Sequence, residues 1–258
     1  MPATCPSDTR LAALREQVRA LERCGRAAAG AVLPFGIGEV DGRLAGGGLA
    51  RAALHEATAA SAALGDEAAA TLFLAAAAAR AAAAGDGTVL WALTRRDLFA
   101  PGLASAGLAP ERLVYAECRD EAELLAVVEE AVRAGSLAAV VGEAGRLPAA
   151  AGRRLQLAAE ESGTTALLLR RRRRSGADPL GLPSAAVTRW RIGCVPSAPL
   201  AVPGVGRARW RVELVRQRGG EPCEWILEAP DAEARLALPA RSADRPAEAA
   251  GTAQRRAA

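Results

Sequence analysis

Lysine is missing from this chain altogether: all 33 residues counted as lysine plus arginine are arginine. A phosphate loop of the form G-x-x-x-x-G-K-[ST] needs a lysine ammonium against the outer phosphates of a nucleotide, so that loop is excluded in its usual form. Abundant alanine, arginine and glycine without lysine also has a bland source in GC-rich coding. Histidine occurs once, as His55, which excludes a histidine-cluster metal site and any Ser-His-Asp triad that does not use it. Its setting in an apolar run predicts a packed, hydrogen-bonded side chain. The 5 cysteines, at positions 5, 24, 118, 194 and 223, are odd in number and scattered, without Cys-x-x-Cys spacing. A disulfide framework and a zinc site are therefore disfavoured, and buried free thiols are expected. Long apolar runs are lacking too. The longest, Leu72 to Ala84, carries Arg80 and falls short of the roughly 18 residues a membrane span needs, so a buried helix is expected there. Residues 1–30 hold Asp8, Glu16 and Glu22 and no apolar stretch of a secretory signal, and the expected location is the cytoplasm.

Apolar residues make up 51% of the 258, enough for one well-filled core with loose ends. A net charge of +4 and a pI near 9.1 permit phosphate contacts without demanding them. Within an N-terminal unit at 1–30, Asp8 to Ala29 reads as an amphipathic helix. Leu11, Leu14, Val18 and Leu21 recur at helical spacing, with Arg15, Glu16, Arg19, Glu22 and Arg23 on the other faces. Such a helix needs an apolar surface, on its own domain or on a neighbouring subunit. After a turn-rich stretch from Leu33 to Gly48, strands are predicted at Leu49 to Ala57, Thr88 to Leu93, Arg112 to Ala116, Leu137 to Val141 and Thr164 to Leu169. They alternate with helices at Glu67 to Ala84, part of Leu98 to Gly107, Glu121 to Ala134 ended by Gly135, and Gly152 to Ser162 ended by Gly163. Short continuous apolar strands between longer helices predict an α/β fold with a doubly wound, mostly parallel sheet. Beyond Arg170 the pattern turns to β, with Ala186 to Val195, Arg207 to Arg218 and Cys223 to Ala229 expected to extend the sheet antiparallel. The core so defined spans 31–229. Residues 230–258 lack periodicity and predict a C-terminal tail that is disordered in isolation.

The segment from Pro34 to Glu56 contains Pro34-Phe35-Gly36, Asp41-Gly42-Arg43-Leu44, Gly46-Gly47-Gly48-Leu49 and Leu54-His55-Glu56, and it resembles the entrance to a RecA core. In that family the first strand delivers the phosphate loop. At this position stand Ala57 to Glu67, where Gly65 is the one loop glycine left, Asp66 and Glu67 set negative charge at a helix start that otherwise favours phosphate, and Thr71 follows. The resemblance also implies an aspartate at the end of the strand Leu137 to Val141, where Gly142 and then Glu143 stand. It further implies an acidic group after the strand Thr88 to Leu93, where Thr94-Arg95-Arg96 stands. Three losses of positioned charge predict a chain without catalytic residues, metal or nucleotide cofactor. For Glu143 two readings stay open, a displaced metal ligand and the commoner helix N-terminal carboxylate.

Together with Leu14-Arg-Glu-Gln-Val-Arg-Ala-Leu-Glu22, Leu33-Pro-Phe-Gly36 and Gly65-Asp-Glu-Ala-Ala-Ala-Thr71, these motifs make the chain similar to the ImuA family over roughly residues 10–230. The resemblance implies a RecA-like accessory role in damage-induced translesion DNA synthesis within the SOS response. The implied partners are an ImuB-type, Y-family-like polymerase homologue and an error-prone replicative-type polymerase, with the C-terminal region and tail as the expected contact to the ImuB-type partner. The run Arg170, Arg171, Arg172, Arg173 and Arg174 follows the last core strand, near where RecA proteins present a DNA-contacting loop. Five adjacent guanidinium groups suit the phosphates of single-stranded DNA, and a solvated charge run is a nearly equal alternative. Trp190, Trp210 and Trp225 alternate with arginines and read as a base-stacking face or, more commonly at strand spacing, as core anchors. Two other functions stay open from the sequence: a DNA-dependent RecA-type ATPase with divergent ligands, and a regulatory module that binds RecA through the N-terminal helix.

Overall fold

The computed structural model describes residues 32–85, 87–172, 177–198, 200 and 204–239. The expected N-terminal helix, Arg173, Arg174 and the tail from residue 240 onward lie outside the described residues.

Val32–Leu33 (β1) pairs antiparallel with Leu49–Ala50 (β2), with the helical turn Gly38–Asp41 (α1) between them. Asp41 explains why this stretch reads Pro-Phe-Gly followed by an aspartate. Its carboxylate accepts the N–H groups of Phe35 at 2.7 Å, Gly36 at 2.8 Å and Ile37 at 3.1 Å and so closes the turn on itself. The main sheet contains, in chain order, Leu54–Ala59 (β3), Val89–Leu93 (β4), Leu113–Glu117 (β5), Ala139–Glu143 (β6), Thr165–Leu169 (β7), Thr188–Val195 (β8), Arg209–Gln217 (β9) and Cys223–Glu228 (β10). Across the sheet the order is β10-β9-β8-β3-β7-β6-β4-β5. Every pairing from β8 to β5 is parallel, and β9 and β10 add antiparallel. This is the doubly wound, mostly parallel RecA-like arrangement expected, with one correction: β8, expected to add antiparallel with β9 and β10, lies parallel to β3, because the long connection after β7 returns the chain to the same end of the sheet.

Helices cover both faces. On one side lies the alanine-rich Leu64–Ala83 (α2), whose small side chains let it sit close to the sheet. Phe73 and Trp190 meet there beneath Phe35, with ring centroids 5.3 to 5.9 Å apart. The short helix Ala100–Ser105 (α3) flanks it. On the opposite face Glu121–Ala134 (α4) and Asn-free, arginine-bearing Ala149–Ser162 (α5) bury Leu124, Val128 and Leu155 against Leu168. Asp120 caps α4 by accepting the Glu123 N–H at 2.9 Å, and Gly135 and Gly163 end the two helices in the left-handed conformation.

The structure departs from the sequence expectation at four further points. The strand expected at 49–57 is two strands, because Ala52 turns the chain at φ 40 between β2 and β3. Strand β6 runs on to Glu143, held by the pairing of Glu143 with Leu169, so Glu143 is a strand residue and not a helix N-terminal carboxylate. The chain does not leave the core at 230. Residues 231–238 fold back, Glu228 donates its N–H to the Ala237 carbonyl at 2.7 Å, and Ala234 and Leu236 are buried. Gly107 is what admits this return, since a Cβ there would lie 2.5 Å from the Ala234 nitrogen. Finally, Cys194 is exposed, whereas Cys118 is buried as expected.

His55 is packed and bonded on both ring nitrogens, to Thr188 Oγ1 at 2.7 Å and to the Ala50 carbonyl at 2.8 Å. Since a carbonyl only accepts, Nε2 carries the proton. Trp190 and Trp210 are 1% exposed and act as core anchors. Among the described residues no helix is long and apolar enough to cross a membrane.

Candidate functional site

Parallel strands deliver loops to one edge of the sheet, and in doubly wound folds that edge, beyond the carboxyl ends, is where ligands sit. Here β3, β4, β6 and β7 open onto a shared mouth. The loop that follows β3 is tied down by its own residues. Asp66, in the first turn of α2, accepts the Ser61 hydroxyl at 2.6 Å with one oxygen and the Cys194 N–H at 2.7 Å with the other. Both carboxylate oxygens are thus engaged at the start of α2. Gly65 offers its carbonyl to the Cys194 thiol at 3.2 Å. Thr71 turns its hydroxyl back onto the Glu67 carbonyl at 2.9 Å and is buried in the helix.

Glu67, Asp97 and Glu143 converge on a single guanidinium, that of Arg171. Its nitrogens lie 2.6 and 2.9 Å from Glu143, 3.1 Å from Glu67 and 3.0 Å from Asp97. The other Glu143 oxygen accepts the Trp91 indole N–H at 2.7 Å, so both its oxygens are engaged. Burial raises the Glu143 carboxyl above its ordinary value, with Arg171 and Trp91 pulling against that rise. Burial also works against the Arg171 charge, but Glu143, Asp97 and Glu67 outweigh it and hold the guanidinium above its ordinary value. Both groups thus move upward for different reasons: burial prevails at the Glu143 side chain, 2% exposed, and the surrounding carboxylates prevail at that of Arg171, 17% exposed. Chemically the mouth is a fixed organic cation ringed by carboxylates.

Arg170, one residue earlier, points to the opposite face of the sheet, as strand alternation requires. There it pairs with Glu56 at 3.1 Å, which Arg189 joins at 3.2 Å and to which the Ser184 hydroxyl donates. Glu56 is 0% exposed, and both arginines are 5% exposed. The expected stripe of five arginines over an anion therefore does not hold at its start: Arg170 and Arg171 are internal counter-ions. Arg172 is half-buried at the loop start.

Between the loop after β6 and the segment 177–185 run two adjoining hollows of about 450 and 250 Å³, which share Leu147, Ala149, Arg170 and Leu182. Arg146 and Arg153 stand exposed along them. Sequence reasoning missed these two arginines. The available signal was the adjacency of β6 and β7, which places the residues after both strands side by side. On the other face, a hollow of about 440 Å³ is walled by Leu64, Leu72, Leu98, Phe99 and Leu103 beside Arg171.

No protein-family model matches the chain. It is 40% identical over 209 residues to the Protein ImuA of Caulobacter vibrioides, an alignment covering 78% of this chain and 84% of the relative. The Protein ImuA of a second strain of that species matches to the same extent. The alignment thus extends across most of both proteins. The chain belongs to the ImuA family.

Proposed function

We propose that this chain is a non-catalytic RecA-like accessory protein of damage-induced, error-prone translesion DNA synthesis. In this reading it acts in the cytoplasm with an ImuB-type, Y-family-like protein and an error-prone replicative-type polymerase. Family membership supports the setting, and the observation that supports the non-catalytic role is Arg171. Phosphoryl transfer needs cations aimed at the phosphates and a carboxylate free for metal. This mouth places its guanidinium on Glu67, Asp97 and Glu143 and its loop carboxylate, Asp66, where phosphate would sit. A nucleotide entering would meet more negative charge than positive.

The ImuB-type contact is assigned to the C-terminal segment. Cutting after Leu200 would remove β9 and β10 with the buried Trp210, so the informative truncation ends after residue 239. Co-purification from the same cell is expected to recover the ImuB-type partner with the full chain and to lose it with the truncated one. Equal capture by both forms would move the contact onto the folded core, and capture by neither would remove the proposal.

Single-stranded DNA is assigned to the hollows beside Arg146 and Arg153, with Arg172 at their margin. Replacing Arg146 and Arg153 together by alanine is expected to weaken single-strand binding and to lower its salt slope by about 1.4, roughly 0.7 for each phosphate contact removed. Both residues are exposed, so the fold tolerates the change. An unchanged affinity in a salt titration would remove the assignment.

A further inference from the structure

The hollow on the α2 side of the mouth has apolar lips facing water: Leu64 is 85% exposed and Phe99 71%. Leu72, Leu98 and Leu103 form its floor, and Gly102 stands close enough that a Cβ there would lie 3.2 Å from the Phe99 ring. We propose that this hollow is the seat of the chain's own amphipathic segment, residues 8–29, packed in cis through Leu11, Leu14, Val18 and Leu21.

Three observations support that occupant. The first is length. At helical rise the stripe from Leu11 to Leu21 covers about 15 Å, and the margin of α2 from Leu64 to Leu72 covers about 12 Å. The second is reach. The described chain begins at Val32, and Phe35 already stacks on Phe73, next to Leu72, at a centroid distance of 5.9 Å. Residues 22–31, fully extended, span about 33 Å, more than the roughly 30 Å of α2 itself. The third is chemistry. The aliphatic stripe matches the apolar part of the lining, Leu64, Leu72, Leu98, Phe99 and Leu103, while Arg15, Glu16, Arg19, Glu22 and Arg23 on the other faces of the segment suit the water and the charged Glu67, Arg95 and Asp97 that also line the hollow. A tether of this length sets an effective concentration of about a millimolar, so the segment of the same chain outcompetes that of a second copy in dilute solution.

Hydrogen exchange on the full chain tests this with two reciprocal variants. Leu14→Asp with Val18→Asp changes the segment, and Leu64→Asp with Phe99→Asp changes the exposed lips. Neither touches the sheet core, and exchange in β6 and β7 serves as the folding control. The first pair is expected to speed exchange about tenfold across residues 64–72 and 98–103, and the second to do the same across residues 8–29, with β6 and β7 unchanged at every protein concentration. Absence of either reciprocal effect overturns the proposal. Protection in the unaltered chain that fades on dilution also overturns it, because the occupant is then a second copy.

Discussion

Replacing Glu56 by alanine is expected to lower the stability of the fold by about 4 kcal/mol, the cost of removing one partner from a buried ion pair. Glu56 lies on β3, in the middle of the sheet, 0% exposed, between Arg170 on the adjoining β7 end and Arg189 on β8. Burial already lowers the Arg170 guanidinium below its ordinary value; Glu56 opposes that, and Arg189 pushes the same way as burial. Without Glu56, two desolvated cations face each other with no anion between them. Urea unfolding is the measurement: the midpoint should fall with the slope unchanged. A shift worth less than about 1 kcal/mol would mean that water screens the pair, as it does at surfaces. A triple replacement of Glu56, Arg170 and Arg189 by aliphatic residues of similar size should recover most of the loss, because the penalty belongs to unpaired charge and not to missing volume. The same anion also fixes Ser184, while Arg189 donates to the Leu180 carbonyl at 2.9 Å. Glu56 thus sets the wall of the proposed DNA-side hollows from beneath.

Arg171→Met is expected to cost about 3 kcal/mol at neutral pH and to make stability depend on pH in a defined direction. The variant leaves Glu67, Asp97 and Glu143 facing one another without their shared cation. Burial raises the Glu143 carboxyl even with Arg171 in place, and losing the guanidinium raises it further. A carboxyl whose value is higher folded than unfolded binds its proton more tightly in the folded state. The penalty is therefore absent below the unfolded value, grows as pH rises, and is complete above the folded value. Midpoints measured between about pH 5 and 8 should show the gap between wild type and variant narrowing toward the acid end. A gap independent of pH would show that Arg171 contributes packing alone. Adding Glu143→Gln to Arg171→Met should recover part of the loss, since the amide removes the most buried of the three charges while keeping an oxygen for the Trp91 indole N–H.

Much of the architecture was legible in local pattern. Alanine content and the glycines after Ala84 marked α2, expected from Glu67 and found to start three residues earlier at Leu64; Gly135 and Gly163 marked two helix ends, and the change of pattern beyond Arg170 marked the last three strands, though not that β8 runs parallel to β3. What escaped was set by contacts distant in sequence. Five consecutive arginines are chemically alike, and which of them turn inward depends on β7 lying beside β3, where the Arg170 N–H meets the Ala57 carbonyl at 2.7 Å and its side chain meets Glu56, 114 positions away. Glu143 fell outside the strand expected at Leu137 to Val141, since the run of apolar residues stops at Gly142. In the sheet that glycine is required, since a Cβ would lie 2.7 Å from Val128 Cγ2. The return of residues 231–238 rests on two apolar side chains, Ala234 and Leu236, too few to produce a period.

In the function proposed above, the mouth of this RecA-like fold is closed by Arg171 and Asp66 and turns over no nucleotide. The most direct test is ATP hydrolysis by the purified full chain with magnesium, with and without single-stranded DNA. Release of phosphate at the protein-free rate in both conditions is the predicted result. DNA-stimulated turnover that disappears when Glu143 is replaced by glutamine would contradict the account.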